Sequence, residues 1–214
     1  MKKFQLEGTP RTDLGKKGTK AVRNQGMIPA VIYGSEAVEL PFTGKLEEGE
    51  QLIEREGRGL ITRSFQVSEE GVRKLVYSPE IFEVELTIAG KKYQSVMREL
   101  QFHPVSDKLL HMDFLEVVPN KPVVMEVPVQ LTGHAVGVRA GGKMSLSMRK
   151  IRVKGMIENI PEKIVIDVTN LELGKTIQIK DVQVENLTLM NASNAVVCTV
   201  LVTRAAQSAA AQQA

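Results

Sequence analysis

The sequence predicts a mainly β protein built as two domains, and three observations carry that expectation. Residues 123–132 alternate strictly, with Val123, Met125, Val127, Val129 and Leu131 set against Glu126, Pro128, Gln130 and Thr132, the period-two pattern of a half-buried strand. Shorter β-like runs recur along the rest of the chain, separated by Gly, Pro and Asn. Finally, 43% hydrophobic residues with only 4% aromatics and no Trp favour packed cores made of Val, Ile, Leu and Met.

The elements follow in order. Residues 4–12 alternate weakly and read as a first strand. Residues 13–29 are punctuated by Gly15, Gly18, Gly26 and Pro29, and a short helix fits between them, with Thr19 as N-cap and Gly26 as its end. Ala30 to Tyr33 reads as a strand that stops at Gly34-Ser35. Residues 43–64 are polar, contain glycine and show no clean period, which predicts a surface excursion or insertion. Val72, Leu75 and Val76 have helical spacing and predict a helix over 68–77. Residues 82–88 and 91–97 are β-like, and Ala89-Gly90 marks a hairpin turn. Residues 109–118 form a strand with Leu110, Met112 and Phe114 on one side and His111 and Asp113 on the other.

Pro119-Asn120-Lys121-Pro122 then reads as a linker, so the predicted domains are 1–118 and 119–204. The second is all β, with strands at 123–132, 151–156, 163–168, 176–180 and 195–203. The Ala/Gln/Ser-rich stretch 205–214 has nothing to bury and is expected to be a disordered tail.

Charge is unevenly spread. Residues 1–34 hold seven Lys/Arg against two Asp/Glu, residues 35–119 ten against sixteen, and residues 120–214 eleven against seven. Local charge of this kind governs attraction to polyanions more than the net +3 does. Cys198 is the single cysteine, which rules out an intrachain disulfide and favours a reducing, cytoplasmic setting. No apolar run approaches the roughly 20 residues of a membrane span, and the basic N-terminus leads into no secretory signal.

Two constellations point to chemistry. Arg11, Lys16, Lys17, Lys20 and Arg23 fall within thirteen positions, opposed only by Asp13. Lys20 and Arg23 share a helix face, and such cations on a glycine-flexed backbone suit a phosphate backbone; a solvated surface charge run is the plain alternative. Second, Gln101 and His103, and His111 and Asp113, sit two apart on extended segments. In one sheet they would form a polar surface able to read base edges and 2′-hydroxyls in the shallow minor groove of RNA, or simply a solvent face. A catalytic His–Asp pair is disfavoured, because side chains at i and i+2 point out in parallel and no motif places a nucleophile. His103, His111, His134 and Cys198 lack metal-ligand spacing. Gly141-Gly142 lacks the Lys-Ser/Thr of a P-loop. No cofactor, metal or small-molecule substrate is expected.

The stretch from Gly15-Lys16 through Arg23 to Gly26-Met27-Ile28-Pro29-Ala30-Val31-Ile32-Tyr33-Gly34 resembles the N-terminal signature of the bacterial Ctc family of 5S-rRNA-binding proteins of the large ribosomal subunit. Gln101-Phe102-His103-Pro104-Val105 followed by His111-Met112-Asp113-Phe114 resembles its second signature. Gly133-His134-Ala135-Val136-Gly137-Val138, Gly141-Gly142, Asn159-Ile160-Pro161, Asp167 and Leu173-Gly174 resemble the C-terminal domain of its longer members. The resemblance implies a closed antiparallel β-barrel with short helices, a mostly β C-terminal domain, and a role as a ribosomal protein rather than an enzyme. It further implies that Arg11, Lys16, Lys20 and Arg23 contact phosphate and ribose, and that Tyr33, Gln101, His111 and Asp113 line the RNA-facing sheet. Lys17 stands where the family often has glycine and compensates for Ala21, where it often has arginine; Arg98 stands where some members have glutamine. Both join the implied RNA-binding set. The C-terminal domain, whose excess of Lys/Arg over Asp/Glu permits RNA contact, is expected either to touch a neighbouring ribosomal protein or to extend the 5S interface. A stress-related RNA-binding or interaction protein using the same fold is the alternative role.

Overall fold

A computed structural model of the protein describes residues 1–34, 38, 44–55 and 58–204; the tail expectation for 205–214 falls outside them. The chain divides into two compact units between Lys121 and Pro122.

The first unit runs β1 (Lys2–Pro10), α1 (Lys16–Asn24), β2 (Met27–Tyr33), β3 (Glu50–Arg55), β4 (Arg58–Ser68), α2 (Glu69–Tyr77), β5 (Phe82–Ile88), β6 (Lys91–Phe102) and β7 (Leu109–Glu116). Six strands close in the ring order β1-β5-β6-β7-β2-β4, with β4 returning to β1. The closure seam is short: only Thr9↔Gln66 and Pro10↔Phe65 are in register. The same edge of β4 continues past that seam to pair with β3 from Glu50↔Arg63 to Arg55↔Arg58. The barrel is closed, as expected, but its pairing is mixed rather than wholly antiparallel, because β1–β5 and β2–β7 are parallel. Parallel neighbours need long crossovers, and these two pairs join segments far apart in sequence.

Residues 43–64, read from sequence as an insertion, instead carry β3 and the first half of β4. Arg63 breaks the apolar pattern there, yet it is held between two carboxylates: Nε lies 2.8 Å from Glu50 Oε1 and Nη1 3.0 Å from Glu116 Oε2. Its guanidinium also stacks 4.6 Å above the Tyr93 ring. A charge partnered from the adjacent β3 and from the more distant β7 and β6 is held as part of the fold.

The barrel interior is filled by Leu6, Ile28, Ala30, Ile32, Phe65, Val67, Val84, Leu86, Met112 and Phe114, all nearly inaccessible to solvent. Phe65 and Phe114 meet with ring centroids 5.8 Å apart. Gly8 makes this possible, since a Cβ there would stand 2.6 Å from the Phe65 ring. Helix α2 plugs the barrel with Val72 and Leu75. It begins where expected, with the Ser68 hydroxyl accepting from Gly71 N–H at 3.2 Å and Glu69 and Glu70 in the first turn, favourable at a helix N-terminus.

The second unit contains β8 (Val123–Thr132), α3 (Val136–Arg139), β9 (Lys143–Leu146), β10 (Lys150–Gly155), β11 (Ile164–Asp167), β12 (Thr176–Gln178), β13 (Thr188–Leu189) and β14 (Val196–Leu201), with 3-10 turns at Ile157–Asn159 and Ile179–Asp181. Two sheets form, β11-β8-β10-β13 and β12-β14-β9. Val123, Met125, Val127, Ile151, Val153, Ile164 and Ile166 are the buried faces of the first, and Val197, Cys198 and Val200 are buried in the second. The glycine-rich motif around α3 has a packing cause: a Cβ at Gly137 would stand 2.6 Å from the backbone of Glu172 and Leu173.

Candidate nucleic-acid interface

Helix α1 carries most of the predicted cations. It starts at Lys16, with Gly15 at the N-cap in a left-handed conformation (φ 104°). Thr19 therefore does not cap it; its hydroxyl donates back to the Gly15 carbonyl at 2.8 Å from inside the first turn. Gly26 (φ 73°) ends the chain's helical path as expected. Val22 is the side chain that α1 buries, while Lys16, Lys17, Lys20 and Arg23 stay exposed. Lys16, Lys20 and Arg23 recur at i, i+4 and i+7, so they line one face. The first turn holds no acidic residue, and two lysines stand at the positive end of the helix dipole. Cations so placed disfavour the isolated helix and favour an anion beside it.

Two arginines seat this helix. Arg11 is buried, at 8% exposure. Its Nη2 donates to the Thr19 hydroxyl at 3.3 Å and the Asp13 carbonyl at 3.1 Å, while its Nε has no hydrogen-bond partner among the described residues. Burial, and next the nearby Arg23 charge, lower its pKa, with Asp13 opposing. Arg11 thus sits behind the helix rather than on its open face. Arg23 reaches the other way: Nη2 and Nε donate to the Leu110 carbonyl at 2.8 and 3.2 Å, tying α1 to β7 beside His111.

The outer face of β6, β7 and β2 gathers the other predicted residues. Gln101 is register partner of His111, and Glu99 of Asp113; Val31 is opposite Asp113 on the β2 side, two positions before Tyr33. His111 and Asp113 are in contact, Nδ1 to Oδ1 2.6 Å. The sequence expectation that they stay parallel and apart is corrected here, because an imidazole leaning along its strand spans the distance between alternate residues. Burial raises the Tyr33 pKa, and Asp113 and Glu99 add to the rise while Arg98 opposes it, so the phenol keeps its proton and can donate. These electrostatics also place Arg98 in the neighbourhood of Tyr33. His103 leaves the surface that it was expected to share. Its Nδ1 accepts from the Val105 and Ser106 N–H groups, each at 3.2 Å, and closes the turn before β7. Glu99 was not foreseen, because a bulge between Met97 and Glu99 resets the register of β6 and only the paired structure places it opposite Asp113.

The resulting surface is a cationic helix beside a polar strand face bearing a His–carboxylate pair. Comparison with known proteins gives that geometry its family. The model of the ribosomal L25p family matches residues 6–114, and the model described as ribosomal protein TL5, C-terminal domain, matches residues 122–204. The chain belongs to the ribosomal L25p family. Members similar over their full length include the large ribosomal subunit protein bL25 of Porphyromonas gingivalis, 54% identical over 214 residues with all of both chains covered. The bL25 of Parabacteroides distasonis is 49% identical over 217 residues, covering 99% of this chain and 100% of the relative. That of Phocaeicola vulgatus is 45% identical over 212 residues, covering 99% and 98%. The L25p match ends at Phe114, within β7, and therefore covers α1, β2, β6 and β7 as far as the His111 and Asp113 pair.

Proposed function

We propose that the chain, as a structural constituent of the large ribosomal subunit in the cytoplasm, binds 5S rRNA through its N-terminal unit. Lys16, Lys17, Lys20 and Arg23 contact the sugar-phosphate backbone. Tyr33, Arg98, Gln101, His111 and Asp113 face the minor groove, where shape and 2′-hydroxyls are read. Arg11 acts from behind, holding α1 in place. The observation that carries this reading is the uncompensated charge of α1: exposed cations on one face, no acid in the first turn, and a carbonyl tether from Arg23 that aims that face alongside β7. Phosphates relieve the repulsion, and affinity then depends on salt. Asp113 is tolerated beside phosphates because His111 Nδ1 lies 2.6 Å from its Oδ1 and takes up one of its lone pairs.

An enzymatic role has less support. The register neighbours of His111 and Asp113 are Gln101 and Glu99, neither a nucleophile of the acyl-transfer kind, and the relatives carry the name of a ribosomal protein. No observation favours a stress-related protein acting away from the ribosome.

The test is binding of the purified full chain to a labelled 5S transcript in competition with unrelated folded RNAs of similar length, followed by footprinting. Preferential binding with protection confined to one irregular helical region is expected. A folded chain with no preference for 5S would overturn the reading.

A further inference from the structure

The second unit carries a cationic face of its own. In β10, Ile151 and Val153 are buried, whereas Lys150, Arg152 and Lys154 are exposed. The three therefore project from the outer side of the β11-β8-β10-β13 sheet. Alternate residues of a strand lie about 6.6 Å apart, so the charges form a regular row on the scale of successive phosphates in a nucleic-acid strand. Their cross-strand partners on β8 are Pro128, Glu126 and Val124. Only Glu126 opposes them: its Oε1 lies 3.1 Å from Arg152 Nε, with both side chains well exposed. Such a surface pair is worth little and leaves other guanidinium donors available. Lys150 and Lys154 meet no carboxylate at ion-pair distance among the described residues. The further acid on this side of the sheet, Asp167 on β11, is occupied with the Thr169 N–H and hydroxyl. Among the described residues, no element of the second unit covers the row.

We infer that the outer face of this sheet is a second contact for an RNA phosphate backbone, made by Lys150, Arg152 and Lys154. The reason for RNA over protein is the ordering of the charge: a straight, evenly spaced, rigidly mounted cation row with one weakly held carboxylate complements a linear polyanion. Contact with phosphate is sequence-independent, so this face positions the unit without reading bases. It goes beyond the N-terminal interface and does not depend on it.

The test uses the full chain, with K150Q/K154Q, E126Q and, separately, K16Q/K20Q. Binding to a 5S transcript and to deproteinised large-subunit rRNA is measured across a salt series. K150Q/K154Q is expected to shallow the slope of log affinity against log salt by about 0.7 per lost phosphate contact, so by roughly 1.4, on at least one of the two RNAs. E126Q, which removes the competing carboxylate, is expected to tighten that same RNA. Slopes and affinities unchanged on both RNAs for both variants would overturn the inference. So would unchanged RNA binding combined with weaker co-sedimentation with large subunits, which would assign the face to an acidic protein partner. K16Q/K20Q reports on the N-terminal interface alone, so failure of one reading is distinguishable from failure of the other.

Discussion

Arg23 donates through Nη2 to the carbonyl of Leu110 at 2.8 Å across 87 positions of sequence, and this bond sets the angle at which a basic helix meets the strand bearing His111. Arg23 therefore has a positioning part that Lys20 lacks. Lys20→Ala is expected to shallow the salt slope of 5S binding by roughly 0.7–0.9 if one phosphate contact is lost. Arg23→Lys keeps the charge but not the forked donation. It should weaken 5S binding nearly as much as Arg23→Ala, with a smaller change in slope. Wild-type affinity in Arg23→Lys would show that the tether is dispensable.

The His111–Asp113 pair leads to a different expectation. Asp113→Asn and His111→Ala should reduce discrimination between the irregular 5S helix and a plain duplex of equal length, while leaving the salt slope nearly intact. Competition titrations with the two RNAs provide the measurement. Equal losses on both would assign the pair to general affinity.

Arg63 links β3, β4 and β7 from a half-buried position. Removing it leaves Glu50 and Glu116 facing each other at 10% and 19% side-chain exposure. Arg63→Leu should cost about 2–4 kcal/mol, and adding Glu50→Gln and Glu116→Gln should recover most of it. Urea unfolding of the single and triple variants decides; a loss below about 0.5 kcal/mol, the ordinary surface level, would refute the structural role.

Gly137 has no room for a side chain. Gly137→Ala drives a Cβ to within 2.6 Å of the Glu172–Leu173 backbone. It should destabilise the second unit by about 1–3 kcal/mol and leave 5S binding by the first unit unaltered. Thermal melting and 5S titration of the same variant test both halves of that statement.

Ala89 and Gly90 both adopt positive φ, 48° and 81°, in the turn joining β5 to β6. An alanine there is strained by about 1–2 kcal/mol, where asparagine is preferred. Ala89→Asn should therefore raise stability by roughly 0.5–1 kcal/mol in chemical denaturation, and no gain would mean that the strain is relieved elsewhere.

Local signals in the sequence were dependable wherever one physical cause dominated. The alternation of 123–132, the Ser68 start of α2 and the Ala89-Gly90 turn each depend on neighbours within a few positions. The basic run likewise pointed to the exposed face of α1. The parallel β1–β5 and β2–β7 junctions were not legible, because register between distant strands leaves no periodic trace. Arg63 disguised β4 as a polar excursion because its two carboxylate partners lie on other strands. Arg11 read as one more surface cation, since the residues set against it, Thr19 on α1 with Gly49 and Ser64, come from separate parts of the chain. The Lys150, Arg152, Lys154 row becomes plain once β10 is known to start at Lys150, one residue before the strand predicted at 151–156, and to bury Ile151 and Val153.

The two parallel junctions also bear on how the protein is made. β1 has no parallel neighbour until Phe82–Ile88 exists, and β2 none until Leu109–Glu116 follows. During synthesis the early strands emerge long before the segments that complete the ring, and α1 acquires its Leu110 anchor only after those later residues leave the exit tunnel. Wide loop closures of this kind slow folding. A nascent first unit is therefore unfinished until almost its whole length has been translated, and the surface formed by α1 and β7 matures last.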